Sequence, residues 1–314
     1  MDEKTSDGKT DARSASVASE SEGSAPVTPV VAVVLAAGFG TRFDPESPKQ
    51  LMTLDGRPII CWSIEAFEAD DRVTDVVVVV NPRVRPVVER LVDECGYPKV
   101  RAIVDGGPRR ADSTVSALRL LESAGIPAGA KLLIHDGVRP FVSSRCIDGC
   151  IDALDGVDAA TVAVPSTDTI LVTDVVGGRR IISDVPDRSR MYRAQTPQAF
   201  RFGTIRRAYA LAAGDPGFAP TDDTQVVVDY LPDHRVVIVD GDADNIKITT
   251  RADMPEAERI ARRIDVGRSD AAGSAPSVTN PAAALTENPF VGMRPREVRS
   301  RVAMDGTSAQ GVRR

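Results

Sequence analysis

The chain has 314 residues, of which 42% are hydrophobic and 27% are charged, and its formal net charge at pH 7 is −6. A chain of this length and composition can bury a substantial core, so we expect a globular protein. The acidic balance argues against a protein that coats nucleic acid, because that role needs a basic face that displaces counterions. No run of about 18 apolar residues is present, so we expect no membrane partner and a cytoplasmic location.

The cysteines do not form a pattern that indicates disulfides or a metal site. The chain has four cysteines and two histidines. Four widely spaced cysteines are too few for a disulfide framework in a chain of this length. A zinc site is disfavoured because only His135 and His234 are available as further ligands. We therefore expect reduced cysteines that pack in the structure.

Both ends of the chain differ in composition from its middle. Residues 1–28 are polar and almost free of large apolar side chains, so they cannot offset the entropy of ordering. Residues 267–314 are small, polar and interrupted by proline before a basic terminus. The sequence thus predicts two disordered tails around one domain at 29–266.

Inside this domain, apolar β-branched runs alternate with amphipathic runs. Apolar runs predict strands at 30–38, 75–80, 100–104 and 131–136. Amphipathic runs predict helices that begin near Pro58, Val84 and Ala111. Four further short runs predict strands, some of them antiparallel; these are AATVAVP, TILVTD, RIISDV and RVVIVDGD. The order predicts an α/β domain with a mostly parallel sheet, in which ligands bind at the carboxyl ends of the strands.

A glycine loop follows the first predicted strand. In AAGFGTRF, Gly38 and Gly40 allow backbone N–H groups to approach a phosphate. Phe43 stands where the dinucleotide fingerprint requires its third glycine, so that motif is absent. Two cations, Arg42 and Lys49, lie behind the loop and suit a polyphosphate. The alternative is an ordinary strand exit with solvated cations.

A carboxylate lies where the fourth predicted strand ends. KLLIHDGVRPF buries apolar positions and then presents Asp136, Gly137 and Arg139. Mg²⁺ binds through one or two carboxylates plus substrate phosphates, so Asp136 is a candidate metal ligand. The alternative is a turn cap paired with Arg139; the position at a strand end favours a site.

Three other polar segments are candidates for ligand contacts. VVDGGPRRADST follows a strand and opens a helix, so Gly107 and Ser113 could meet a ligand. DVPDRSRMYRAQTPQAF, which contains Thr196, is either an anion-binding segment or a solvated one. Lys247 follows an acidic turn after the last predicted strand.

Together these segments resemble the 2-C-methyl-D-erythritol 4-phosphate cytidylyltransferases of non-mevalonate isoprenoid synthesis. The likeness spans most of residues 30–262. It depends on the ordered set LAAGFGTRF, SPKQ, DGGPRRADS, HDGVRP, TDT, DRSRMY, QTPQAF, TDD and ADNIKIT. The resemblance implies a Rossmann-like nucleotidyltransferase domain and a β-arm, at about 165–192, exchanged across a homodimer.

The resemblance also implies a reaction and a set of site residues. The sugar phosphate would attack the α-phosphorus of CTP and release pyrophosphate, with Mg²⁺ bound by Asp136. The catalytic cations would be Arg42, Lys49 and Lys247. The nucleotide contacts would be Ala37, Gly38, Gly40, Gly107, Ser113, Gly137 and Arg139. The substrate contacts would be Thr169, Arg188 and Thr196.

Two alternatives to this function stay open from the sequence. DGVRPF and MYRAQTPQAF also resemble the D-ribitol-5-phosphate cytidylyltransferases, which share fold and reaction. A non-catalytic nucleotide-binding protein is the second alternative; retention of all the cations together with Asp136 argues against it. Pro108 departs from the family pattern in the base pocket, and a proline cannot donate a backbone hydrogen bond to cytosine. Gly137, where many relatives have alanine, is expected to be a mild change.

Overall fold

The computed structural model of the chain describes residues 28–38 and 48–271, with side chains as far as residue 264. Most of the two predicted tails, 1–28 and 267–314, therefore lies outside the described residues. Within this range, the last helix extends to Ala271, five residues into the segment that the sequence predicts to be a disordered tail.

The described residues form eleven strands and seven α-helices. The strands are β1 (Val30–Ala36), β2 (Thr53–Leu54), β3 (Arg57–Pro58), β4 (Asp75–Val80), β5 (Val100–Asp105), β6 (Lys131–Asp136), β7 (Ala159–Pro165), β8 (Val172–Val176), β9 (Arg179–Asp184), β10 (Tyr192–Arg201) and β11 (Val236–Asp240). The helices are α1 (Ile59–Glu68), α2 (Arg85–Cys95), α3 (Arg110–Ser123), α4 (Ser144–Gly156), α5 (Phe202–Ala212), α6 (Asp223–Tyr230) and α7 (Met254–Ala271).

Seven of the strands form one central sheet in the order β11-β7-β10-β6-β1-β4-β5. Every neighbouring pair is parallel except those that involve β10, which runs antiparallel to β6 and to β7. This confirms the predicted α/β domain with a mostly parallel sheet. The order reverses beside β1, because the chain passes from β1 to β4 and β5 on one side and returns to β6 on the other. Such a reversal opens a crevice at the carboxyl ends of the strands.

Strand β10 corrects the sequence-based view of MYRAQTPQAF. We expected an anion-binding or solvated segment, but Tyr192–Arg201 is an interior strand of the sheet. Residues 195–200 of this strand are buried. The local pattern hid the strand because Gln195, Thr196 and Gln198 are polar, and each of them is hydrogen-bonded to a distant part of the chain.

Apolar side chains cover both faces of the sheet. In β1, Val31, Val33 and Leu35 face one core cluster, with side chains from α3, α5 and α6. Ala32 and Val34 face the other cluster, with side chains from α1, α2 and α4. Burial on both faces explains why the parallel strands are continuous apolar runs.

A smaller third cluster fixes the segment that follows β11. Ile248 packs with Trp62 and Phe141, and Ile260 of α7 joins them. The backbone N–H of Ile248 donates to the carbonyl of Val138 at 2.9 Å. This packing holds the segment containing residue 247 against the loop that follows β6.

The predicted β-arm is a hairpin that projects from the sheet. Strands β8 and β9 pair antiparallel and form a separate two-stranded sheet. Gly177 and Gly178 join them with φ of 56° and 77°, the conformation of a tight hairpin turn that glycine adopts readily. Every residue of both strands is exposed.

The structure also bears on the cysteines and on membrane contact. All four cysteines are free, and only Cys95 is exposed. Among the described residues, none of the helices has the length and apolar character needed to cross a membrane.

Candidate active site

A cavity of about 170 Å³ lies at the carboxyl ends of β1, β5 and β6, beside the reversal in strand order. Its lining combines small and apolar residues with charged side chains. The lining residues are Leu35, Ala36, Ala37, Gly38, Lys49, Gln50, Gly107, Pro108, Arg109, Arg110, Ser113, Asp136, Val138 and Lys247. The cavity therefore joins segments that are far apart in the sequence.

The two glycines after β5 are required by close packing. A Cβ on Gly106 would lie 2.4 Å from Cβ of Ala37 and 2.7 Å from Oγ of Ser113. A Cβ on Gly107 would lie 2.3 Å from Cβ of Asp112. These distances are too short for any side chain, so the turn after β5 closes tightly against the end of β1. This close approach brings Ala37, Gly107 and Ser113 together on the cavity lining.

Asp136 lies at the end of β6 between three cationic groups. Nζ of Lys247 is 2.9 Å from Oδ2. Nε of Arg139 is 3.4 Å from the same oxygen, and Nε of Arg110 is 3.4 Å from Oδ1. Burial alone would raise the pKa of Asp136, but the charges of Arg110, Lys247 and Arg139 outweigh it and hold the pKa well below its usual range. The carboxylate is therefore ionised throughout the physiological range.

The neighbouring His135 is fully buried and neutral. Its Nε2 lies 2.9 Å from the carbonyl oxygen of Arg139, so this nitrogen carries the proton and donates. Its Nδ1 then accepts from the hydroxyl of Thr196 at 2.9 Å. The same hydroxyl oxygen accepts from the backbone N–H of Asp136 at 3.1 Å. Burial lowers the pKa of His135 to about 4. These bonds attach β6 to β10 directly behind the carboxylate.

Asn245 and Arg139 hold the Lys247 segment in place. Nη1 of Arg139 donates to the carbonyl of Asn245 at 2.8 Å. Nδ2 of Asn245 donates to the carbonyl of Thr196 at 2.8 Å. Asn245 is fully buried, so these bonds fix the start of the segment that carries Lys247. Sequence reasoning gave Asn245 no role, since its partners lie on β10 and after β6.

Two further residues that sequence reasoning missed are Arg110 and Asp223. Nη1 of Arg110 donates to Oδ2 of Asp223 at 2.5 Å, and Asp223 is fully buried. Both residues occur in motifs that carry the family resemblance, DGGPRRADS and TDD. Only the ordered recurrence of those motifs could have indicated them, because nothing local shows that residues so far apart in sequence form a pair.

The structure brings most of the predicted cavity residues together. Those that line the cavity are Ala37, Gly38, Lys49, Gly107, Ser113, Asp136 and Lys247. Gly137, Arg139 and Thr196 lie directly behind Asp136 rather than on this lining. A Cβ on Gly137 would lie 3.0 Å from Cβ of Ala36, which leaves little room for alanine.

The structure does not test the predicted roles of four residues. Gly40 and Arg42 fall within 39–47 and so lie outside the described residues. Thr169 and Arg188 are exposed on or beside the arm. Nη1 of Arg188 donates to the carbonyl of Thr167 at 3.4 Å. Their predicted roles as substrate contacts stay predictions.

A mostly parallel sheet with cations, close-packed glycines and one carboxylate at its strand-order reversal has the form of an enzyme that handles a nucleoside polyphosphate. The profile of the 2-C-methyl-D-erythritol 4-phosphate cytidylyltransferase (IspD) family matches residues 30–263. The chain belongs to this family, and it is a nucleotidyltransferase enzyme.

The chain is also similar to individual proteins and solved structures. The 2-C-methyl-D-erythritol 4-phosphate cytidylyltransferase of Bifidobacterium longum (strain DJO10A) is 64% identical over 240 residues, which cover 76% of this chain and 82% of that protein. The solved structure of 4-diphosphocytidyl-2C-methyl-D-erythritol synthase from Anaerococcus prevotii matches with a TM-score of 0.64 and 26% identity, over 75% of this chain and 99% of that one. A bifunctional ribulose 5-phosphate reductase/CDP-ribitol pyrophosphorylase of Haemophilus influenzae is 34% identical over 230 residues, which cover 73% of this chain and 48% of that protein.

Proposed function

We propose that this chain transfers the cytidylyl group of CTP to 2-C-methyl-D-erythritol 4-phosphate and releases pyrophosphate. The observation that carries the proposal is the convergence of Lys49, Lys247 and Asp136 on one cavity at the strand-order reversal. The negative charge of a bound triphosphate would be stabilised there by cationic side chains that the fold already holds in position.

The reaction is a displacement at phosphorus that needs little covalent chemistry from the protein. A phosphate oxygen of the sugar phosphate forms a bond to the α-phosphorus of CTP. The bond between the α-phosphorus and the oxygen that bridges to the β-phosphorus breaks, and pyrophosphate leaves with the electron pair of that bond. The contribution of Lys49 and Lys247 is to hold the triphosphate and to stabilise the charge that develops. Arg42 is proposed to act with them.

The residues present fit Mg²⁺ bound together with CTP. Within the described ranges, no group of three or more His, Cys, Asp and Glu could hold an ion by itself. Asp136 is the single acidic side chain in the cavity lining there. Mg²⁺ commonly binds through one carboxylate plus substrate phosphates, so Asp136 would hold it. When bound, the ion supplies positive charge to the phosphate oxygens.

We also propose that the protein is a cytoplasmic homodimer in which the arm meets the neighbouring subunit. A two-stranded hairpin alone is marginally stable in water. The arm nevertheless exposes apolar side chains, among them Val175 at 70% and Val176 at 63%. A partner surface that covers them would stabilise the hairpin, and it would bring Thr169 and Arg188 near a second cavity as contacts to the sugar phosphate.

Ribitol 5-phosphate is the second candidate acceptor, because a CDP-ribitol pyrophosphorylase is among the relatives. The higher identity to a methylerythritol phosphate enzyme favours the first candidate. The test is to measure pyrophosphate release from CTP with each acceptor in parallel. A faster rate with ribitol 5-phosphate would reverse the assignment, and nucleotide binding without release by either acceptor would indicate a non-catalytic protein.

A further inference from the structure

The carboxylate of Asp223 is buried at the start of α6 and is hydrogen-bonded through both oxygens. Oδ1 accepts from the hydroxyl of Tyr209 at 2.5 Å and from the hydroxyl of Thr114 at 2.8 Å. Oδ2 accepts from Nη1 of Arg110 at 2.5 Å. Burying a charge in this way has a large desolvation cost, which is offset only by good pairing. Its position one residue after the helix cap Asp222 does not by itself require a buried charge.

The other edge of the Arg110 guanidinium faces the active site. A guanidinium is planar and rigid, so the bond between Nη1 and Asp223 also fixes the direction of Nε. Nε lies 3.4 Å from Oδ1 of Asp136. Nη2 is buried and has no hydrogen-bond partner among the described residues. Arg110 thus connects two carboxylates that do not contact each other directly.

The three cations around Asp136 divide between its two oxygens. Lys247 and Arg139 face Oδ2, whereas Arg110 is the cation among the described residues that faces Oδ1. Lys247 is partly exposed and can turn towards a bound phosphate. Arg110 is held by Asp223 and cannot turn away without breaking that pair. It is therefore the contact that keeps the carboxylate oriented while Lys247 engages the ligand.

We infer that Asp223 is a positioning residue for nucleotidyl transfer: it orients the Arg110 guanidinium, which in turn holds the Asp136 carboxylate at the cavity. The expected effect of Asp223 on kcat rests on the proposed function. The contacts from Asp223 through Arg110 to Asp136 are a property of the folded chain and do not depend on that function. The competing explanation is a purely structural clamp between α3, α5 and α6, in which the pair stabilises the fold and leaves the reaction unaffected.

The kinetic test compares Asp223→Asn, Arg110→Lys and the double variant in the pyrophosphate-release assay. We expect each single variant to lower kcat by about tenfold to a hundredfold, the usual effect of losing an outer partner of a site carboxylate. KM for CTP should change by less than about threefold in Asp223→Asn, because Asp223 does not line the cavity and so contributes no uniform binding. The double variant should be no slower than the slower single variant, since both act through one contact.

Two matched controls separate positioning from folding. Asp222→Asn makes the same chemical change one residue away: it removes the negative charge but keeps an oxygen that can accept from the backbone N–H of Gln225, a bond of 2.8 Å in the wild type. Tyr209→Phe removes a hydrogen bond to Oδ1 of Asp223 and leaves the bond to Arg110. Tyr209→Phe should lower the melting temperature, and both variants should keep kcat near that of the wild type. A kcat for Asp223→Asn near that of the wild type would show a structural clamp, and equal losses of kcat in Tyr209→Phe and Asp223→Asn would show a general disturbance of the fold; either result would overturn the inference.

A crystal structure of the Asp223→Asn variant tests the geometry without reference to activity. We expect the Arg110 guanidinium to move and the Asp136 carboxylate to rotate from its wild-type orientation. An unchanged Asp136 would overturn the inference even if the wild type is active. A rotated Asp136 in a protein whose wild type releases no pyrophosphate would refute the proposed function and leave the positioning role in place. If Asp223→Asn does not fold, Arg110→Lys provides the same comparison.

Discussion

Nζ of Lys247 lies 2.9 Å from Oδ2 of Asp136, and the two side chains differ in exposure, at 40% and 10% respectively. The ammonium of Lys247 therefore reaches the carboxylate from the solvent side, while the less exposed Arg110 and Arg139 also contact the carboxylate. An anionic ligand in the cavity would compete with Asp136 for Lys247. The contact is thus a ready source of positive charge for a bound triphosphate.

Replacing Lys49 by alanine should raise the activation free energy for kcat/KM by about 3 kcal/mol or more, which lowers kcat/KM by over a hundredfold. The reason is that Lys49 lines the cavity and would face the phosphates of CTP. The measurement is pyrophosphate release at varied CTP. Arg262→Ala is the control, because this cation lies on the outer face of α7 and pairs with Glu258. Near-normal turnover by Lys49→Ala would refute the catalytic role.

Replacing Asp136 by asparagine should abolish most activity at any Mg²⁺ concentration. The substitution keeps the shape of the side chain but removes the charge that would hold the ion. The measurement is the dependence of the rate on Mg²⁺. Asp105→Asn is a matched control, since Asp105 also ends a strand but pairs with Arg85 at 3.1 Å outside the cavity. A full rate for Asp136→Asn at high Mg²⁺ would contradict a required carboxylate.

The free energy of unfolding should fall as the pH is lowered from about 6.5 to 4 because of His135. An unfolded histidine takes up a proton near pH 6.5, whereas burial lowers the pKa of His135 to about 4 in the folded chain. The unfolded state thus binds the proton first as the pH falls, so the folded state loses up to about 3 kcal/mol.

Urea unfolding across this pH range, followed by tryptophan fluorescence, provides the measurement for the His135 prediction. The His135→Asn variant should be less stable near pH 7, because it disturbs the bonds to Thr196 and to the carbonyl of Arg139. Its pH dependence should be shallower than that of the wild type. Parallel curves for the two proteins would show that His135 is not the group responsible.

Replacing Val175 and Ile182 together by aspartate should weaken self-association. Both lie on the exposed arm and would carry charge into any apolar contact made there. The measurement is the sedimentation coefficient as a function of concentration. Leu211→Asp is the control, because Leu211 is similarly exposed but lies on α5. An unchanged dissociation constant would place the interface elsewhere.

The sequence was most informative where burial on both faces produced continuous apolar runs. Strands β1, β4, β5 and β6 were predicted within a few residues, and so was the carboxylate at the end of β6. The family resemblance then placed Gly107 and Lys247 at one site. Those residues do line a common cavity.

The sequence was least informative where buried polar side chains find their partners far along the chain. Gln198 is buried in β10 because its Oε1 accepts from the backbone N–H of Asp223. Arg110 is fixed by Asp223 in the same way. No local pattern of polar and apolar residues distinguishes such positions from a solvated loop, since the pairing exists only after the helices have packed on the sheet.

The hydrogen bond from Ile248 to Val138 joins a late segment of the chain to the loop that follows β6. During synthesis, the ribosome releases Lys49 and Asp136 well before residues 247 and 248 emerge. A nascent chain therefore has β1 and β6 but not Lys247, and the lining of the cavity is complete only when almost the whole domain has been translated.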